Sequence, residues 1–92
     1  MANPMRGEVA LVRGQRRLKL CLTMAALAEI EGIVRGRTME TLNGDEMLGI
    51  LRALLKGGGE IEAALNVENL DLEPQVAMRA VASALLLAGA GA

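Results

Sequence analysis

Two short runs near the start of the chain, Val9-Ala10-Leu11-Val12 and Leu18-Lys19-Leu20-Cys21-Leu22, fit a period of two. Val9 and Leu11 share one side of the first run, and Leu18, Leu20 and Leu22 share one side of the second. Ala10 and Val12, then Lys19 and Cys21, take the opposite sides. Arg13-Gly14-Gln15-Arg16 separates the runs, and Gly14 can take a positive φ angle without a Cβ clash. The spacing predicts a β-hairpin with strands over about residues 7–12 and 17–22. An isolated hairpin is marginal in water, so its leucine face must cover helices or a partner.

From Thr23 the period lengthens. Met24, Leu27, Ile30, Ile33 and Val34 recur every three to four residues, which predicts a helix over about 24–35. Thr23 is its expected N-cap and Gly36 its stop. Asn43 with Glu46 has capping-box spacing, and Asp45 places negative charge where the helix dipole favours it. Behind them Met47, Ile50, Leu51, Leu54 and Leu55 form a strong stripe over about 43–56, with Lys56 in the last turn and Gly57, Gly58 and Gly59 ending it. Residues 60–70 carry two signals: Ile61, Ala64 and Leu65 suit a short helix, whereas Asn66 and Asn69 suit turns. The last helix begins near Asp71 or Leu72, tolerates Pro74 in its first turn, and runs to about residue 88 with Val76, Ala80, Val81, Ala84, Leu85 and Ala88 on one side. Leu86 and Leu87 fall outside that stripe. Either two faces of this helix are covered within the domain, or one is left for a neighbour. The expected fold is α+β, an N-terminal β-hairpin followed by three or four packed α-helices in a single domain over residues 1–92.

Composition narrows the chemistry. Hydrophobic residues make up 52% of the 92 positions, yet Phe, Tyr and Trp are all absent, so aliphatic side chains must fill the core. No ring is present to stack on a base or cage a cation. The chain has no His, which excludes a histidine general base and a histidine-liganded metal. A single cysteine, Cys21, cannot form an internal disulfide or a zinc cluster and reads as a small half-buried strand residue. Residues 1–8 lack the apolar core of a signal peptide, and no stretch of about 18 apolar residues crosses a bilayer. A cytoplasmic location is the expectation.

The remaining candidate motifs fail on context. The Gly57–Gly59 run follows a helix, with Lys56 ahead of it and Glu60 behind, the reverse of a phosphate-binding loop. Glu29 and Glu31 are two apart and do not face each other. Asp45 with Glu46, and Asp71 with Glu73, sit at helix starts. Residues 66–73 lack the alternation and central Gly of a calcium loop. No constellation supports an enzyme, and no cofactor is implied.

Charge is unevenly placed. Formal net charge is −1, but residues 1–24 hold Arg6, Arg13, Arg16, Arg17 and Lys19 against Glu8 alone, while the remainder is acidic. Such asymmetry can steer head-to-tail association. The basic turn Arg13, Arg16, Arg17 admits three readings: a solvated hairpin turn, contact with an acidic protein surface, or phosphate contacts. The third is opposed by the acidic remainder and by the lack of a base-reading helix.

The opening Asn3-Pro4-Met5-Arg6-Gly7-Glu8, followed by a hairpin and then Leu18-x-Leu20-Cys21-Leu22-Thr23-Met24, resembles the small tail-assembly protein of gene transfer agents and related tailed phages. Leu27, Glu29 and Glu31 match that family's helix core, and Leu54, Leu55, Gly57 and Gly58 its later Leu-Leu…Gly-Gly segment. The family often has an aromatic residue at the strand-to-helix junction, where this chain has none. The resemblance implies a non-enzymatic tail-assembly chaperone. It would hold the apolar tape-measure protein soluble in the cytoplasm and help tail-tube subunits add to it. Two alternatives stand beside it: a structural tail component, tube or terminator, retained in the particle, and a small DNA-binding regulator. Expected partners are the tape-measure protein, tail-tube subunits and further copies of the chain as dimers or rings, with no nucleic acid, membrane or small-molecule substrate. The expected contact residues are Arg13, Arg16 and Arg17 at the turn, Leu51, Leu54 and Leu55 on the second helix, and Val81, Leu85, Leu86 and Leu87 on the last.

Overall fold

A computed structural model describes residues 8–13, 15–38, 41–70 and 72–90, side chains of 13 and 86–90 excepted. Strands β1 (Glu8–Arg13) and β2 (Arg16–Cys21) form an antiparallel hairpin. It is followed by α1 (Met24–Val34), α2 (Gly44–Gly57), the short α3 (Ile61–Leu65), a 3₁₀ turn (Val67–Asn69) and α4 (Pro74–Ala90). The fold is α+β, as the periodicities require. Each strand runs one residue closer to the turn than its hydrophobic pattern, because Arg13 and Arg16 still pair. The expected special backbone at Gly14 lies outside the described residues.

The hairpin register explains its buried face. Leu11 stands opposite Leu18, and Val9 opposite Leu20. Leu11, Leu18 and Leu20 are fully buried, while Val9 and Leu22 pack at the margin of the core. α2 is the central element and packs against α1, β2, α3 and α4. Its Ile50, Leu51, Ala53, Leu54 and Leu55 are all buried. A fully buried leucine or isoleucine contributes about 1.5–3 kcal/mol relative to its exposed state, so this one stripe supplies a large part of the stability. α4 closes the core with Ala80, Val81 and Ala84 and lies along β1.

Local signals start and stop the helices. The Thr23 hydroxyl oxygen accepts from the Ala26 N–H at 3.1 Å. At α2 the full capping box is present: Asn43 accepts from the Glu46 N–H at 2.9 Å, and the Glu46 carboxylate accepts from the Asn43 N–H at 2.9 Å. α1 ends one residue before the expected glycine, with Arg35 itself in the left-handed region at φ 51° and Gly36 following at 79°. The α1 stripe holds at Ile30, Ile33 and Val34, which lie in or against the core, and fails at its start. Ala26 and Ile30 face the core, while Met24 is 80% exposed, because the helix is only beginning at Met24 and no preceding turn lies under its side chain.

The three-glycine run does more than end α2. In an antiparallel ladder alternate residues turn their backbone polar groups outward, and on β2 these include Lys19 and Cys21. The end of α2 lies directly on that edge. A Cβ placed on Gly57 would stand 2.1 Å from the Cys21 carbonyl oxygen, and one on Gly58 would stand 2.0 Å from that of Lys19. Just beyond, the Glu60 carboxylate accepts a 2.9 Å hydrogen bond from the Lys19 N–H. The outer edge of β2 is thereby covered, which blocks strand addition on that side. Gly59 supplies the chain reversal at φ 84°.

Candidate interaction surface

Among the described residues no polar or charged side chain is buried, and no group of three His, Cys, Asp or Glu side chains is placed to hold a metal. Two of the carboxylates that sequence spacing singled out, Glu29 and Glu46, have structural partners. Glu29 pairs with Lys56 at 2.7 Å, tying α1 to α2. Glu46 pairs with Arg37, whose guanidinium also donates to the Ile33 and Val34 carbonyls at the end of α1. The Arg37 hydrogen bond, helped by the Asn43 N–H, holds the Glu46 carboxyl below its ordinary value of 4.5. This ion pair locks the α1–α2 connection; Asp71 lies outside the described residues. Cys21 is half-buried. Val67 and Leu70 of the calcium-loop candidate point into the core.

The expected contact residues divide into four groups. Leu51, Leu54, Leu55 and Val81 are brought together, but inside the chain's own core, each at most 3% exposed. This corrects their assignment as partner contacts: the domain is small enough that one central helix needs its whole leucine stripe to build the core. Leu85 is half-buried at the core margin. Arg16 and Arg17 are exposed on the hairpin beside its turn. The side chains of Arg13, Leu86 and Leu87 lie outside the described residues.

The outward apolar positions are different ones. Leu65 is 72% exposed and Ile61 52%, and they sit one turn apart on α3. Of the two signals over residues 60–70, the short helix forms, but it turns Ala63 and Ala64 inward rather than the Ile61, Ala64 and Leu65 set. α3 packs on α2 with Ala63 and Ala64 buried, and Arg52 of α2 donates to the Ala64 carbonyl at 3.3 Å. The small residues therefore face the core and the large ones solvent, the reverse of what hydrophobicity alone implies. Met24 and Met78, and Val12 of β1, are also exposed. The available sequence signal was the pair of small residues, Ala63-Ala64, beside a helix already rich in leucine.

A second feature is an open groove of about 740 Å³ between the start of α2, the 3₁₀ turn and the start of α4. Leu48, Leu51, Val67 and Leu72 form its floor, and Asp45 and Glu68 stand among its lining residues.

Among the described residues no helix is long and apolar enough to cross a membrane. Compared with known proteins, the chain matches no protein-family model, no curated protein and no solved structure.

Proposed function

We propose that the chain is a non-enzymatic tail-assembly chaperone of a phage-like gene transfer agent, acting in the cytoplasm. It holds apolar segments of the tape-measure protein while tail-tube subunits assemble around it. The observation that carries this reading is the outward pair Ile61 and Leu65 on α3. The resemblance of residues 3–8 and of the following hairpin and helix to tail-assembly proteins supplies the biological context.

The physical case follows from what the exposed side chains can do. Two large aliphatic groups one turn apart fit the apolar stripe of a partner helix. Exposed Met24 and Met78 offer flexible side chains that adapt to varied apolar surfaces. Burying two such side chains contributes at most a few kcal/mol. A single contact is then weak and reversible, as a holder that must later release its client requires. Several copies along one client would add avidity without new contacts. The sheet also favours this reading over a tube subunit: it has two strands among the described residues, too few to build stacked β-rings.

Co-expression with a tape-measure fragment tests the proposal. The wild-type chain should raise the soluble yield of the fragment, and the double variant Ile61→Lys, Leu65→Lys should lose that effect while keeping its helicity. No gain in solubility, with no complex on a sizing column, refutes the reading. Mass spectrometry of lysate beside purified particles separates the alternative, since a chaperone is present in the lysate and absent from the particle, whereas a structural component is stoichiometric in both.

A further inference from the structure

We propose that the basic hairpin turn of one copy docks into the acid-rimmed apolar groove between α2 and α4 of a second copy, so that chains associate head to tail. This inference stands apart from the chaperone reading, which uses the outward face of α3.

Charge complementarity carries it. From Val9 to Ala28 the chain has Arg13, Arg16, Arg17 and Lys19 and no acidic residue. From Gly57 to Met78 it has Glu60, Glu62, Glu68, Asp71 and Glu73 and no basic residue. Folding brings Glu60 back onto Lys19, whose N–H its carboxylate accepts, but leaves Arg16 and Arg17 exposed on the hairpin and Asp45 and Glu68 exposed at the groove. The hairpin packs on the C-terminal end of α2, at Gly57 and Gly58, while Asn43, Gly44 and Asp45 at its N-terminal end line the groove. Fourteen helical residues span about 20 Å, so Lys19 and Cys21 of β2 stand at the opposite end of α2 from the groove, and neither Arg16 nor Arg17 is among the groove's lining residues.

Asp45 also lines a neighbouring pocket with Arg35, Arg37 and Arg52, but neither patch is closed by an ion pair among the described residues. Among the described residues the ion pairs are Arg37–Glu46 and Lys56–Glu29, and they engage neither Arg16 and Arg17 at the turn nor Asp45 and Glu68 at the groove. All four side chains are exposed. Arginine suits such a site. Its methylene stem lies along an apolar floor, here Leu48 and Leu72, while the guanidinium reaches a carboxylate at the rim. A patch that meets a different patch on the next copy is heterologous, and it repeats until a ring closes or a filament extends. A hairpin turn covers well under the roughly 1,200 Å² of a standard interface, so each contact is weak and governed by salt.

Sedimentation velocity and light scattering on the full chain test this. At low salt the weight-average mass should rise with concentration, and raising salt to about 0.5 M should weaken the association at least tenfold. Two variants then separate the surfaces: Arg16→Glu with Arg17→Glu at the turn, and Asp45→Asn with Glu68→Lys at the groove. Each should raise the dissociation constant at least about a hundredfold, because like charges would meet. Mixed one to one, they should recover association, since one variant keeps the native groove and the other the native turn. Three results overturn the proposal: a strict monomer up to about 1 mM, association indifferent to salt and to both variants, or a mixture of variants with wild-type circular dichroism that stays monomeric.

Discussion

Replacing Gly57 by alanine sets two physical accounts of the glycine run against each other. If the run is only a flexible helix end, alanine at the last helical position should stabilise by up to about 1 kcal/mol through helix propensity. The packing argues the opposite sign. The new Cβ would stand 2.1 Å from the Cys21 carbonyl oxygen and 3.3 Å from Thr23 Cγ2. Carbon–oxygen contacts settle at about 3.3–3.6 Å, so the overlap with backbone exceeds about 1 Å and no side-chain rotation relieves it. α2 must withdraw from β2. Overpacking of this kind costs about 1–3 kcal/mol. Withdrawal also stretches the 2.9 Å hydrogen bond from the Lys19 N–H to the Glu60 carboxylate, and a bond to a charged group contributes about 1.5–3 kcal/mol. Less the propensity gain, the net loss is roughly 2–4 kcal/mol, a large share of the 5–15 kcal/mol of a typical domain. Gly58→Ala should behave alike, its Cβ meeting the Lys19 carbonyl. Gly32→Ala is the control: a Cβ there meets nothing within 4 Å inside α1, and the change should stabilise by about 0.5–1 kcal/mol. With no aromatic residue to report by fluorescence, urea and thermal unfolding followed by far-ultraviolet circular dichroism is the assay. A 2 kcal/mol loss lowers Tm by about 8–16 °C. Gly57→Ala at or above wild-type stability would refute the close-approach account.

Two further outcomes follow from the ends of α1 and α2. Glu46 has its carboxyl pKa lowered by Arg37 and the Asn43 N–H, so its stabilisation is fully present above the ordinary carboxyl value and is lost as pH falls through the lowered one; the stability difference between wild type and Glu46→Gln should shrink on acidification below pH 4.5, and a difference constant across that range contradicts the ion-pair assignment. Arg35 occupies the left-handed region at φ 51°, where a Cβ costs about 1–2 kcal/mol, so Arg35→Gly should stabilise by about 0.5–1 kcal/mol in urea unfolding once the greater chain entropy of glycine is set against it, and a destabilised variant refutes that strain.

Much of this protein was legible along the chain. The hairpin, the helix starts at Thr23 and Asn43 and the leucine stripe of α2 depend on residues within four positions of each other, and spacing alone reports such relations. The paired leucines of the hairpin follow from alternation, and the capping box from one interval of three. Tertiary structure decided what local spacing cannot reach. It placed Leu51, Leu54, Leu55 and Val81 inside, because one small core consumes them all. It turned Ile61 and Leu65 outward, because α3 lays its small face, Ala63 and Ala64, into the core beside α2. It gave Gly57 and Gly58 their task through contact with β2, some forty residues earlier in the chain, where the absence of a side chain matters more than freedom of φ. It also set the covered edge of β2 and the acid-lined groove at opposite ends of α2, a separation that only packing across distant segments can create.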